Sequence, residues 1–264
     1  MDSPKGAIPR ALALLKCLVD EKAGMRIQAL ASKTGLNIAT THRILQTLVS
    51  ERMVAYDPDT RCYSVGTECV RLAAGALGEG SFISRISQIV KATAIALEET
   101  CAFYRYEPDS QSMMVTVVEH GPNALGYNYD IGDRAPVYAG ASGKAIFAFL
   151  PADVIETIIE KPLVPLTTST IVEPAKVRDE LEKIRRMGYA ISKAERAPHG
   201  TGLAVPVILK SGRVVGSVGL SIPFFRFRED RMAASAEILH GSAREIATVF
   251  DIHSHEANQL DDHE

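Results

Sequence analysis

Apolar residues recur at three- and four-residue steps in some stretches of this chain and alternate with polar ones in others, which lays out helices and strands in order. After an arm holding Pro4, Gly6 and Pro9, the positions Ala11, Leu14, Leu15 and Leu18 predict a helix over residues 10–18. Met25 and Ile27 make a short hydrophobic step suited to a brief strand, and residues 28–34 a short helix stopped by Gly35. Ile38, Thr41, Ile44, Leu45, Leu48 and Val49 then form one apolar stripe, with Thr41 its weakest member. Asn37 stands where its side-chain oxygen can cap that helix. Two β-rich runs, 53–56 and 61–65, flank Asp57-Pro58-Asp59-Thr60, a hairpin signal. Helix, strand, helix, turn, helix, hairpin is the order of a winged helix-turn-helix.

Residues 67–77 predict a connecting helix whose end is loosened by Gly75, Gly78 and Gly80, a domain boundary. Beyond it, Ile83, Ile86, Ile89, Val90, Ala94 and Leu97 form one face of a helix over 82–99. Strand-like runs follow at 101–106 and 113–120, with weaker candidates at 126–130 and 135–138. Helices fit 142–150, 151–160 and 174–187, and Gly188 closes the last before a strand at 189–193. Residues 203–209 and 214–222 flank Lys210-Ser211-Gly212-Arg213 as a second hairpin, and 230–250 reads as a long terminal helix. The expected class is α+β. Residues 1–66 form a winged helix-turn-helix, 67–80 a linker helix, 81–251 an α+β sensor domain with one main sheet, and 252–264 a disordered acidic tail.

Charge sharpens this division. Residues 1–66 carry nine Lys/Arg against six Asp/Glu, a net of +3, which leaves −6 for the remainder of a chain whose total is −3. A basic front end on an acidic body suits a polyanion contact confined to the first quarter. No apolar run approaches membrane-spanning length and no signal peptide is expected, so a cytoplasmic protein without membrane contact is the expectation. Cys17, Cys62, Cys69 and Cys101 have neither CxxC spacing nor a paired histidine motif, and fit reduced thiols better than disulfides or a zinc site.

The polar face of the third helix carries Thr40, His42, Arg43, Gln46 and Thr47, side chains that reach phosphates or base edges. The expected DNA contacts are Asn37, Thr40, Thr41, His42, Arg43 and Gln46, with Arg61 of the wing and Arg10 on the backbone or minor groove. His42 fits equally a surface histidine. In the second domain Ser142-Gly143 opens a helix directly after Gly140-Ala141, where free N–H groups and the dipole's positive end would suit a carboxylate. Small residues there also serve close packing of helix on sheet. No G-x-S-x-G elbow, metal motif or phosphate-binding loop is present, which disfavours an enzyme. Pairing His120 or His199 with Glu119 or Glu195 for acid–base work requires only what chance provides. No cofactor and no metal are expected.

Four blocks in this order resemble the IclR family of bacterial transcriptional regulators across essentially the whole chain. They are Arg10-Ala11-Leu12-Ala13-Leu14-Leu15; Gly35-Leu36 through Thr40-Thr41-His42-Arg43-Ile44-Leu45 to Tyr63-Ser64-Val65-Gly66; Gly140-Ala141-Ser142-Gly143-Lys144-Ala145; and Gly188-Tyr189 through Ala204-Val205-Pro206-Val207 to Gly212-Arg213-Val214-Val215. The resemblance implies a GAF-like effector domain, a dimer or tetramer, palindromic operators and a small-molecule effector, often a carboxylate controlling catabolic genes. It maps effector contacts to Ala141, Ser142, Ser192, Gly202, Gly219 and Ser221. Ser192, Gly202 and Gly219 depart from the acidic residue, cysteine and serine found there in other members, which implies an emptier and less polar site. Tyr104, Tyr106, Tyr127 and Tyr129 on nearby candidate strands then suit an aromatic ligand, although all four also fit ordinary strand positions.

Overall fold

The computed structural model describes residues 5–21, 23–123 and 129–261, with the side chains of 254–261 excepted, and divides into two compact units, Met1–Gly78 and Glu79–Glu264. In the first unit, helices α1 (Ala7–Asp20), α2 (Ile27–Thr34) and α3 (Ile38–Ser50) enclose a core in which Leu14, Leu18, Leu30 and Leu45 are fully buried. α2 ends as its sequence dictates. Gly35 takes a left-handed φ of 67°, its N–H bonds to Ser32 O, and the Leu36 N–H reaches Ala31 O at 3.0 Å, the paired bonds of a Schellman motif. Two residues later Asn37 Oδ1 accepts the Thr40 N–H at 2.8 Å and starts α3. Replacing Asn37 with Ala is expected to cost about 1 kcal/mol. Hydrogen-exchange mass spectrometry checks this as roughly fivefold faster exchange over residues 38–44; unchanged exchange would mean that packing alone holds the first turn.

Strands β1 (Val54–Asp57) and β2 (Cys62–Val65) form the wing, in register from Val54↔Val65 to Asp57↔Cys62. Its tip is fastened by Asp57, which accepts the Thr60 hydroxyl at 2.7 Å and the Asp59 N–H at 2.9 Å, so its carboxyl is held below the usual range. Arg61 leaves the turn with φ 56°. The brief strand expected at 25–27 shrinks to a single bridge, Met25↔Tyr63, because Ile27 already begins α2. Helix α4 (Thr67–Leu77) completes this unit. None of its residues is buried, and Val70, Leu72 and Leu77 are exposed.

The second unit is a six-stranded antiparallel sheet with helices on both faces. After α5 (Phe82–Leu97) come β3 (Thr100–Glu107), β4 (Ser112–Glu119), β5 (Arg134–Pro136), α6 (Gly140–Phe147), α7 (Ala152–Ile159), α8 (Pro174–Met187), β6 (Ala190–Lys193), β7 (Gly200–Ile208), β8 (Val214–Pro223) and α9 (Met232–Asp261). Strand order is β5-β4-β3-β8-β7-β6. Strand alternation sorts the side chains. Phe103, Leu203, Val205, Val218 and Leu220 pack with α5 and α9, while Ala102, Tyr104, Val115 and Ala204 pack with α6, α7 and α8. With both faces covered, β7 and β8 read as nearly unbroken apolar runs.

Two expectations shift. Residues 129–130 are not strand and 124–128 lie outside the described residues. The expected tail is helical backbone as far as Asp261, because α9 continues past residue 250.

Candidate functional site

The polar front of α3 is open. His42, Arg43, Gln46 and Thr47 are exposed and Thr40 half-exposed, whereas Leu45 and Leu48 point inward. Arg61 is exposed on the wing and Arg10 half-buried on α1. Thr41 does not join this face. It is 0% exposed, and its hydroxyl donates to Asn37 O at 2.9 Å, so it belongs to the buried stripe and its expected DNA contact is withdrawn. Asn37 has its side-chain oxygen engaged as the cap, and its amide N–H groups remain for DNA. Ile38 reverses in the other direction: expected in the stripe, it is 54% exposed at the first turn.

In the second unit, α6 lies entirely buried against the sheet. Its small residues do serve packing, since a Cβ on Gly143 would fall 2.6 Å from Val137 O. They also shape a pocket at the helix's first turn. Gly140 enters with φ +82°, and a Cβ there would meet Arg196 Cδ at 2.5 Å. Tyr104, Tyr129, Ala141, Ser142, Ser192, Gly202 and Ser221 all line this pocket, bringing together β3, α6, β6, β7, β8 and the loop before β5. The Tyr129 hydroxyl and Ser221 Oγ are 2.7 Å apart, and the rings of Tyr104 and Tyr129 meet edge to face at 6.3 Å. Burial, with the neighbouring Tyr129, pushes the Tyr104 phenol well above its ordinary pKa and keeps it protonated.

Two expected members are missing. Tyr127 lies outside the described residues. Gly219 sits in β8 between Ala102 and Ala204, where a Cβ would fall 2.7 Å from that of Ala204, and it lines no part of the pocket. Tyr106, two residues beyond Tyr104 along β3, faces a separate open recess of about 800 Å³ at the other end of the sheet. That recess has Arg105 5.8 Å over Phe250 and is lined also by Phe82 and Pro151, at the starts of α5 and α7.

The α6 terminus differs from expectation too. The Gly140 N–H is not free: it donates to Glu195 Oε2 at 3.3 Å. Glu195 Oε1 accepts from Lys144 Nζ at 2.6 Å, and the same ammonium reaches Glu180 Oε1 at 2.8 Å and Ile191 O at 3.3 Å. A carboxylate of the chain thus already occupies the positive end of α6. Nor is the pocket empty, for only about 40 Å³ remains. The room that Gly202 leaves is closed by the side chain of Ala141, 3.0 Å from where a Cβ would lie, and the room over Gly140 by Arg196. Its guanidinium lies 5.5 Å over the Tyr104 ring and 5.4 Å over Tyr129. Glu195 and Arg196 are the residues that sequence reasoning missed as pocket members. The one local signal was a charged doublet in a turn ahead of Gly200.

The acid–base pairings do not form. Glu119 accepts from Ser87, His120 lies against Thr100, His199 stacks edge-on to Phe224, and Glu195 is held by Lys144. Among the described residues there is no group of three side chains placed to hold a metal, and no helix is long and apolar enough to cross a membrane.

Comparison with known proteins agrees with this architecture. Residues 7–58 match the IclR helix-turn-helix domain, and residues 75–248 match the domain described as bacterial transcriptional regulator IclR C-terminal. The DNA-binding transcriptional repressor YiaJ of Escherichia coli (strain K12) is 30% identical over 223 residues, covering 83% of this chain and 79% of the repressor. An IclR transcriptional regulator from Alicyclobacillus acidocaldarius superposes with a TM-score of 0.85 at 22% identity, covering 92% of this chain and 98% of its own. An IclR homologue from Microbacterium hydrocarbonoxydans, crystallised with 4-hydroxybenzoate, gives a TM-score of 0.76 at 22% identity, with coverage of 94% and 100%.

Proposed function

This chain belongs to the IclR family of bacterial transcriptional regulators, and from that premise we propose that it is a cytoplasmic regulator of a catabolic operon whose affinity for a palindromic operator is set by a small aromatic acid. Family members bind operator DNA and small-molecule effectors through the two kinds of domain present here, and their role is regulatory rather than enzymatic. The observation that carries the finer reading is the convergence of Tyr104, Tyr129, Ser142, Ser192 and Ser221 on one buried pocket at the start of α6. Two aromatic walls and three hydroxyls suit a ring bearing polar substituents. The complex of the Microbacterium homologue with 4-hydroxybenzoate supports that size and chemistry.

His42, Arg43 and Gln46 read base edges or phosphates, with Arg61 and Arg10 on the backbone. Two copies engage the half-sites, and the exposed Val70, Leu72 and Leu77 of α4 support self-association of the chain as a dimer or tetramer. The effector favours one arrangement of its domain, and α4 carries the change to the spacing of paired winged helices.

The test is a thermal-shift screen of aromatic and aliphatic monocarboxylates on the full chain, followed by operator titration. At least one aromatic acid is expected to raise the melting temperature and to change operator affinity by roughly 5- to 150-fold. An aliphatic acid acting alone, or stabilisation with no change in operator affinity, defeats the proposal.

A further inference from the structure

The effector pocket is closed by one of its own side chains. About 40 Å³ is left inside it, whereas a cavity of roughly 150 Å³ is what accommodates a benzene ring. The missing space is filled by Arg196, whose stem lies against the bare backbone of Gly140 and whose guanidinium covers both tyrosine rings. An aromatic ligand cannot reach Tyr104 and Tyr129 until that guanidinium leaves.

The electrostatics around Arg196 are one-sided. Its neighbour Glu195 is committed to Lys144 and to the Gly140 N–H, and among the described residues no carboxylate pairs with Arg196. A half-buried guanidinium that rests on two π faces and hydrogen-bonds the neutral Tyr104 hydroxyl, with no carboxylate of its own, is poised for an anion that can take its N–H edges. Arg196 lies in the β6–β7 turn between Ala194 and His199, both at positive φ (58° and 66°). The turn holds its backbone on both sides of Arg196, so the rearrangement that meets an anion is one of the side chain: beyond it Ala197 O accepts the Gly200 N–H at 3.3 Å and His199 O the Phe224 N–H at 3.2 Å. The front of the turn is tied down by Thr167 Oγ1 to Ala194 O at 2.6 Å and Thr170 Oγ1 to Glu195 O at 2.7 Å. Those ties end at Glu195, one residue before the plug.

We propose that Arg196 is both the displaceable plug of the effector pocket and the residue that selects a carboxylate ligand. The aromatic ring of the acid takes the place of the guanidinium between the tyrosines, and the displaced guanidinium pairs with the incoming carboxylate. This deepens the reading of the pocket as an effector site and rests on it.

Calorimetric titration of the full chain with benzoate, 4-hydroxybenzoate and the two corresponding neutral amides tests the proposal in wild type, Arg196→Ala, Arg196→Lys and the pocket-blocking Ser221→Trp. Circular dichroism and operator binding serve as folding controls. Wild type is expected to prefer an acid over its amide. Arg196→Ala should weaken the acid by roughly 10- to 100-fold while binding the amide as tightly as wild type or more tightly, and Arg196→Lys should restore part of the acid preference. An acid preference that survives in Arg196→Ala overturns the pairing role, and an amide weakened in Arg196→Ala overturns the plug. If Ser221→Trp also leaves acid binding intact, the pocket is not the effector site, and the broader reading fails instead. Absence of binding by wild type to every probe, with operator binding retained, overturns both.

Discussion

Lys144→Met is expected to destabilise the effector domain by about 3–5 kcal/mol, the usual consequence of removing one partner from a buried ion pair. Lys144 and Glu195 are only 3% and 5% exposed, and their 2.6 Å contact lies between α6 and the β6–β7 turn. Without the ammonium, Glu195 retains only the 3.3 Å bond from the Gly140 N–H, Glu180 loses its 2.8 Å partner, and the Ile191 carbonyl loses a donor. The double variant Lys144→Met/Glu195→Leu is expected to recover most of the loss, because burying apolar groups in place of both charges avoids the desolvation cost. Urea unfolding of the full chain followed by circular dichroism measures this, with the effector-domain transition moving and that of the winged helix staying. A single-variant cost below about 1 kcal/mol, or a double variant as unstable as the sum of the singles, would show that the network is not coupled.

The second large effect is on DNA. Arg43→Ala is expected to weaken operator binding by about 1–3 kcal/mol per half-site if its guanidinium reads a guanine, with no change in melting temperature because the side chain is exposed. Fluorescence anisotropy across a salt series separates the two ways it can act. Loss concentrated on the operator marks base readout; a uniform loss with a salt slope shallower by about one per copy marks a phosphate contact. Thr41→Val is the informative contrast. Its hydroxyl is spent inside α3, so stability falls and the intrinsic preference for the operator stays. A melting temperature lowered in Arg43→Ala as much as in Thr41→Val would return Arg43 to a structural role.

The difference between these two neighbours marks what the chain discloses before it is folded. Residues 37–50 declare a capped amphipathic helix because both signals, an Asn three residues ahead of the Thr40 amide and a three-to-four periodicity, act within one helix. The wing is equally local, a turn closed by Asp57 on residues two and three positions away. Thr41 could be assigned to either face because threonine is compatible with both, and only its burial, shared with Leu45 and Leu48, decides. In the effector domain, alternation sets the strands and Gly188 ends α8, but who occupies the first turn of α6 is settled across 55 residues, by Glu195. Local rules see an open helix terminus there. Arg196 escaped for the same reason. Its ring partners, Tyr104 and Tyr129, come from β3 and from the loop before β5, and nothing within its own turn points to them. Gly202 was read as leaving space, yet space in a folded core belongs to whichever neighbour reaches it first.

The margins of the six-stranded sheet bear on how the protein behaves at high concentration. One margin is β5, three residues closed by Pro136; the other is β6, four residues ending on Lys193. Neither offers a long row of unpaired N–H and C=O groups that another molecule could extend, and a proline and a lysine stand where docking would begin. The long, almost fully buried β8 is kept in the middle of the sheet, between β3 and β7. Fibril-like growth by strand addition is therefore disfavoured by the order of the strands themselves. The Val, Leu and Ile of β8 become available to another chain only when the domain unfolds.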